Sequence, residues 1–587
     1  MHVGTTFLAI AVAAVNLTGG EFPELASSET AGAQDQTSTQ GSGYDRPAHT
    51  PKGSRSEVIA PHGMVAASQP LAAQVGIDIL KAGGNAIDAA VAVNAMLGLV
   101  EPHMNGIGGD LFAIVWNAEE QQLHALNGTG RSPYALSLEA LRARDLDRIP
   151  GRGLVSWTVP GAVDAWTELL EHHGTMTLRQ VLAPAIAYAR DGFPVSEIIA
   201  GQWQDEEEAL AEWPDSATTY LPGGRAPKKG EVFRNPNLAR VYEAIANEGR
   251  DVFYHGSIAD RIVAFSEANG GFFSKRDFED HSSTWVDPIS TSYRGHEVWE
   301  LPPNSHGITA LMMLNILEGY DFASLEHNSA ATLHRMIEAK KLAFADRSHY
   351  VADPEFNALP VAELVSKPYG VSRRAMLDAT HAALTVMPGD PLEHGDTVYL
   401  SVVDKDRNVV SLIQSIFDYF GSRVVPGDLG FAMQNRGIGF SLEQGHLNVL
   451  EPHKRSLHTN MPGMVTKDGI PWLTFGVMGG NMQPQGHTQV LANLIDFGMS
   501  VQEAGDAARW RHMGQTPRAG EAPTGGTVLV ESGIPDEVVA QLEAMGHVIR
   551  RADGGAMGGY QAIMINPITG MLHGGTDPRK DGAAIGY

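Results

Sequence analysis

Residues 394–404 read HGDTVYLSVVD, so a threonine stands between an acidic turn and the alternating residues of a strand. Strand threonines follow from β propensity alone. A second reading gives Thr397 a chemical task. A threonine hydroxyl is a weak nucleophile near pH 7, but a threonine at a chain terminus carries an α-amine of pKa about 7.7–8.0 that takes its proton. Such an amine exists only if the bond between Asp396 and Thr397 is cut. Thr397 suits this use because it opens a strand, which fixes its position, and because Gly395 and Asp396 supply a turn that strains the preceding peptide bond. Local sequence is compatible with both readings.

Other nucleophiles and metal sites find little support. The chain has no cysteine, which excludes disulfides, thiolate nucleophiles and zinc–thiolate sites. Neither G-x-S-x-G nor H-E-x-x-H occurs, and HEVWE at 296–300 lacks the second histidine. His172 and His173 are neighbours on a predicted helix, where adjacent side chains diverge and cannot share one metal. Most of the 23 histidines are read as ordinary core and surface residues. No metal or organic cofactor is expected. NGIGGDLFAIVW (105–116) fits neither phosphate-loop spacing and predicts a tight turn feeding a strand.

These groups need a large scaffold. A chain of 587 residues with 43% hydrophobic content exceeds what one core requires, yet no linker divides it after about residue 60. One large unit or two interleaved halves are expected. Sixty-eight acidic against 42 basic residues give a net charge of −26, which repels nucleic-acid phosphates and anionic headgroups. FLAIAVAAV (7–15) has the length of a signal-peptide core but no basic flank, and is too short to span a bilayer. Export stays open. Residues 20–60 are polar and aperiodic, as in a disordered tether.

Residues 70–100 predict two helices separated by Gly83-Gly84, the second apolar on nearly every face. The stretch 160–390 predicts mostly helix, including 331–351 as a charged helix with an apolar stripe. Beyond 396, strands are predicted at 397–404, 409–416, 463–469, 471–480, 527–531 and 560–567, with helices at 488–499 and 535–546. Such an α+β order predicts sheets layered between helices.

TVYLSVVDKDRNVVSLIQS, FGVMGGN, AAVAVNAMLGLVEPHMNGIGGDLF, EAKKLAFADRSHYVADPEF and GGTDPRKDGAAIGY together resemble the γ-glutamyltransferase (glutathione hydrolase) family of N-terminal nucleophile hydrolases, from about residue 57 to Tyr587. The resemblance implies a four-layer αββα sandwich and a proenzyme that cuts itself between Asp396 and Thr397. After a signal-like segment (1–56), a large chain (57–396) and a small chain (397–587) would stay together as a heterodimer. It further implies Thr397 as nucleophile, Ser415 at the place of a hydroxyl that orients it, and Gly479 and Gly480 as the oxyanion hole. An oxyanion donor of this kind is worth on the order of 3 kcal/mol of barrier.

Departures from the family pattern concern the substrate. In ALNGTGRSP, Asn127 takes the place of the arginine that holds the glutamyl α-carboxylate, and Arg131 lies four residues on. Phe417 replaces an asparagine, Arg436 and Gly439 replace a glutamine and an aspartate at the glutamyl α-amino end, and His458 and Thr459 replace paired serines. A lost acid and a gained guanidinium would turn a cation site into an anion site for an acyl carboxylate. Such departures resemble the lidless branch, with its glutathione-hydrolase-like, oxamate amidohydrolase and cephalosporin acylase members. The expected activity is cleavage of γ-glutamyl amides such as glutathione through a threonyl acyl-enzyme. Alternatives are an amidase for another carboxylate-bearing acyl group, of oxamate or glutaryl type, and a catalytically silent member.

Overall fold

The structure is a computed structural model that describes residues 55–384, 396–514, 525–552 and 554–587. The signal-like stretch and Gly395 lie outside the described residues, as does most of the predicted tether. The tether's end differs from expectation. Val58–Ala60 is a strand whose partner is Leu572–Thr576, so the fold begins before residue 60.

Two antiparallel seven-stranded sheets form the centre. The first runs Ala583–Gly586, Met64–Ala67, Asp396–Val403, Val409–Phe417, Asp110–Asn117, Gln122–Gly128 and Thr284–Val286. The second runs Val58–Ala60, Leu572–Thr576, Tyr560–Ile565, Ile470–Val477, Gly463–Lys467, His296–Glu300 and Ile289–Tyr293. Each sheet takes strands from both sides of the bond between residues 396 and 397. Two pieces cut there would share both sheets, and all described residues belong to one unit.

The sheets face each other. Asp396–Val403 and Val409–Phe417 contact Ile470–Val477, and the Tyr399 hydroxyl bridges the gap through Ser401, Ser411 and Thr474. Gly476 makes room for that ring, since a Cβ there would stand 2.4 Å from Tyr399 Cδ2. Val409–Phe417 is buried at every position, and a strand covered on both faces shows no polar alternation.

Helices cover the outer faces. Pro70–Lys81 and Ala86–Val100 lie on the first sheet, and Gly307–Leu317, Met482–Ile495 and Val501–Asp506 on the second. Asn85 and Asp88 form a reciprocal cap that starts Ala86–Val100, which is buried all round as its sequence predicts. Ala330–Tyr350 departs from its prediction as a helix with one apolar stripe: all but four of its residues are buried. Its charges are matched inside, Lys341 to Glu338 at 2.7 Å and Asp346 to Arg373 at 3.0 Å.

The closing motif GGTDPRKDG is explained by a buried ion network. Asp577 pairs with Arg509 at 2.7 Å and Arg579 at 3.0 Å, and Arg579 reaches Glu531. Asp577 also accepts the Tyr560 amide at 2.8 Å, which ties the last loop to the second sheet. Removing one partner leaves a buried charge uncompensated. Arg579→Ala is expected to lose about 3–5 kcal/mol of stability, seen as a lowered urea midpoint at unchanged m-value.

Burial also sets an acid limit. His103 is held neutral, its pKa pushed down to about 3 by desolvation against a weaker opposing hydrogen bond to Gln202. The unfolded histidine binds a proton below its ordinary value of 6.5 while the folded one does not, so this stability is full above pH 6.5 and declines as pH falls toward 3. Relative to His103→Gln, the wild type should lose on the order of 1 kcal/mol more per pH unit between pH 6 and 4. Urea titrations at several pH values check the difference.

Candidate active site

Thr397 is the second residue of the strand Asp396–Val403 and is 1% exposed. Two carboxamides flank its hydroxyl. Gln483 Nε2 donates to Thr397 Oγ1 at 3.3 Å, and Asn460 Oδ1 lies 3.5 Å away as acceptor. Gln483 is oriented by the Met461 amide, which donates to its Oε1 at 3.1 Å. Asn460 is held at both backbone groups, its N–H on His458 Nδ1 at 3.1 Å and its carbonyl on Ser305 Oγ at 2.7 Å. Its Nδ2 is buried without a partner.

Gln483 stands in the first turn of the helix Met482–Ile495, so the N-terminus of that helix meets Thr397. Gly479 and Gly480 precede it with φ of 118° and 55°, in the left-handed region that glycine adopts freely. Their carbonyls accept from Met482 and Gln483. Among the described residues, neither glycine N–H donates to a protein group. Free amides beside a helix N-terminus suit a developing oxyanion. Asn481, next in the chain, is gripped by the buried Arg347, whose Nη1 donates to its Oδ1 at 2.7 Å.

A buried wall continues from Asn460. With His458 Nδ1 accepting, the ring proton sits on Nε2, which faces Asp110 Oδ2 at 3.3 Å. Asp110 also accepts from the Gly130 amide and Gln434 Nε2, each at 3.0 Å. Burial pushes its carboxyl up to about 6, against the pull of Arg436 and these donors. Burial holds His458 neutral, well below its ordinary value, and the Arg436 charge adds to this.

Arg436 is 1% exposed in the short turn Arg436–Gly439. Its Nη1 donates to Thr459 Oγ1 at 3.0 Å, and its Cζ lies 4.1 Å from the Phe417 ring centre. Nε and Nη2 have no partner. Desolvation lowers its pKa to about 9, while Asp110 and Asp418 act in the opposite sense. Phe417 pairs with Asp396 across the strands, and Thr459 precedes Asn460, so the two residues that hold the guanidinium each adjoin a neighbour of Thr397.

The structure thus gathers Thr397, Gly479, Gly480, Arg436, His458 and Thr459. Ser415 lies on the adjoining strand, where its Oγ accepts from the Phe417 amide at 2.7 Å and supports that residue's φ of 80°. Asn127 and Arg131 are engaged elsewhere. Asn127 donates to Asn304 Oδ1 at 2.9 Å and accepts from Thr129, while Arg131 grips Glu355 at 2.6 and 2.8 Å. Of the Asp396 side chain nothing is described. Sequence reasoning missed Asn460, Gln483 and Asp110. Only Gln483 had a local signal, a polar residue in the first turn after the diglycine.

Metal-binding groups gather at one place among the described residues. His334, Glu338 and His547 have ligand atoms within 4.8 Å of one another. Each is already paired, His334 Nδ1 with His547 Nε2 at 2.8 Å and Glu338 with Lys341 and the Ala383 amide. No helix of the described residues is long and apolar enough to cross a membrane.

The structure is an α+β fold of two facing sheets, with a threonine and two carboxamides at its centre, and its solved neighbours have the N-terminal nucleophile hydrolase fold. The chain matches the gamma-glutamyltranspeptidase family over residues 72–587 and belongs to it. It is 41% identical over 537 residues to the glutathione hydrolase-like YwrD proenzyme of Bacillus subtilis, covering 90% of this chain and 99% of that one. Over the same shares it is 34% identical to the oxamate amidohydrolase proenzyme of Klebsiella pneumoniae. The cephalosporin acylase of Bacillus halodurans superposes with a TM-score of 0.85 at 44% identity, over 94% of this chain and 99% of that one.

Proposed function

We propose that this protein is an autoprocessed amidohydrolase with a four-layer αββα fold, acting through a threonyl acyl-enzyme. The observation that carries the reading is the Thr397 hydroxyl, held between Gln483 Nε2 and Asn460 Oδ1 at the diglycine helix N-terminus. Cleavage between Asp396 and Thr397 frees the α-amine. That amine takes the hydroxyl proton as Thr397 Oγ bonds to the substrate carbonyl carbon, and passes it to the leaving amine as the C–N bond breaks. Gln483 donates to the oxygen that loses the proton. The Gly479 and Gly480 amides receive the oxyanion. Water then attacks the ester, giving one proton through the α-amine back to Thr397 Oγ and releasing the carboxylic acid. An acceptor amine in place of water would complete a transfer.

The acyl groups in view are γ-glutamyl, as in glutathione, and the carboxylate-bearing acyl groups of oxamate or glutaryl amides. A silent member would have no need of an oriented hydroxyl beside unused amides. A denaturing gel with N-terminal sequencing tests the reading: two chains are expected, the smaller starting at Thr397. A chain that stays whole on long incubation yet hydrolyses amides would refute it.

A further inference from the structure

The buried guanidinium of Arg436 has more donors than the protein uses. Nε and Nη2 are both unpartnered. Among the described residues no carboxylate forms an ion pair with Arg436. Asp110 is engaged by three other donors, and Asp418 Oδ2 accepts from Asn435 Nδ2 at 2.8 Å, leaving only Asp418 Oδ1 without a partner. An acid at residue 439 would be crowded. A Cβ on Gly439 would stand 3.0 Å from Leu457 O and 3.1 Å from Ser456 Oγ.

A buried charge with idle donors is costly unless a partner completes it. Stacking on Phe417 and the bond to Thr459 fix the guanidinium plane, leaving Nε and Nη2 as an adjacent pair of donors. That pair matches the two oxygens of a carboxylate. A carboxylate held there belongs to the acyl group, because the same wall reaches Asn460 and the Thr397 hydroxyl.

Resting on the acyl-enzyme reading above, we propose that the Nε and Nη2 donors of Arg436 form a carboxylate subsite that selects dicarboxylic half-amides as substrates. The carboxylate is what is read, and no α-ammonium is required. The processed wild-type enzyme is assayed on oxalyl, succinyl, glutaryl, γ-glutamyl and butyryl p-nitroanilides. At least one acyl group with a free carboxylate and no ammonium is expected to exceed butyryl by roughly 10²-fold in kcat/KM, the scale of a charge-assisted bidentate contact. It is expected to match or exceed γ-glutamyl as well. The matching free dicarboxylate should compete for the site, and its monoamide should not.

Arg436→Met removes the charge at similar volume, and should abolish the preference and the competition. Arg436→Lys should restore part of both. A cut, active enzyme that turns over butyryl as fast as every dicarboxylic half-amide, or that prefers γ-glutamyl to all of them by more than tenfold, overturns the subsite. An uncut chain inactive on every amide would instead refute the acyl-enzyme reading. Should Arg436→Met fail to fold, the wild-type series and the free-acid competition still decide.

Discussion

Thr397→Ala is expected to yield a single chain that stays uncut between residues 396 and 397 on prolonged incubation and lacks amide hydrolysis. On the proposed mechanism both losses trace to one atom. Without Oγ nothing attacks the carbonyl of residue 396, and without that cut no α-amine exists to serve as base. Turnover should fall by at least about 10⁴-fold, the scale seen when a nucleophile that acts with its base is removed. Stability should change little, because a methyl and a hydroxyl are lost at the start of a strand whose ladder hydrogen bonds remain. Thr397→Ser separates chemistry from packing. It keeps the hydroxyl and drops the methyl that fixes the rotamer, so slow cutting and partial activity are expected. If Thr397→Ala were cut and active like the wild type, Thr397 would be only the strand residue that its β propensity already explains.

The parts of the fold that were legible in the sequence are those encoded locally. The pair of helices over 70–100 follows from periodicity and two glycines, and the strands after residue 396 from β-branched runs bounded by turns. Four strands before residue 130 and three at 284–300 were less legible, since the surrounding helices dominate the pattern and only 105–116 announces its strand. In Ala330–Tyr350 the charges suggested an exposed face. Inside the protein Lys341 pairs with Glu338 on the same helix, while Asp346 and Arg347 find Arg373 and Asn481 on other segments, and no periodicity records that.

The site divides in the same way. Thr397 and the diglycine stand out as strings, while Asn460 and Gln483 reach the hydroxyl from 63 and 86 residues away. Asp110 meets His458 across 348 residues. Such convergence is a property of the sheets, which place the strand start, the helix N-terminus and the 455–460 segment at one point. The two arginines that the sequence singles out differ in their partners. Glu355 takes Arg131 Nη2 at 2.6 and 2.8 Å and only Nε is left buried without a partner, whereas Arg436 keeps both Nε and Nη2. Which guanidinium is available depends on partners that sequence order does not reveal.

The same reasoning makes Gly479→Ala the second large effect. Its φ of 118° strains an alanine, and the new Cβ would stand 3.0 Å from Gly558 Cα and 3.3 Å from Met482 Cβ. Gly558 cannot give way, since its own Cβ position lies 2.0 Å from Met478 O. The loop must rotate, which turns an amide away from the carbonyl oxygen of the bound substrate. Loss of one such donor costs about 3 kcal/mol, so kcat per cut chain should fall by roughly 10²–10³-fold while KM changes little, the signature of an interaction made only in the transition state. Strain alone would not do this. Gly469 in the hairpin between Gly463–Lys467 and Ile470–Val477 has a φ of 78° and no atom within 4 Å of its Cβ position. Gly469→Ala should therefore lose about 1 kcal/mol of stability with kcat intact. If both variants lost stability alike and neither lost kcat, the diglycine would be a turn that happens to begin a helix, and the oxyanion would have to be held by other donors.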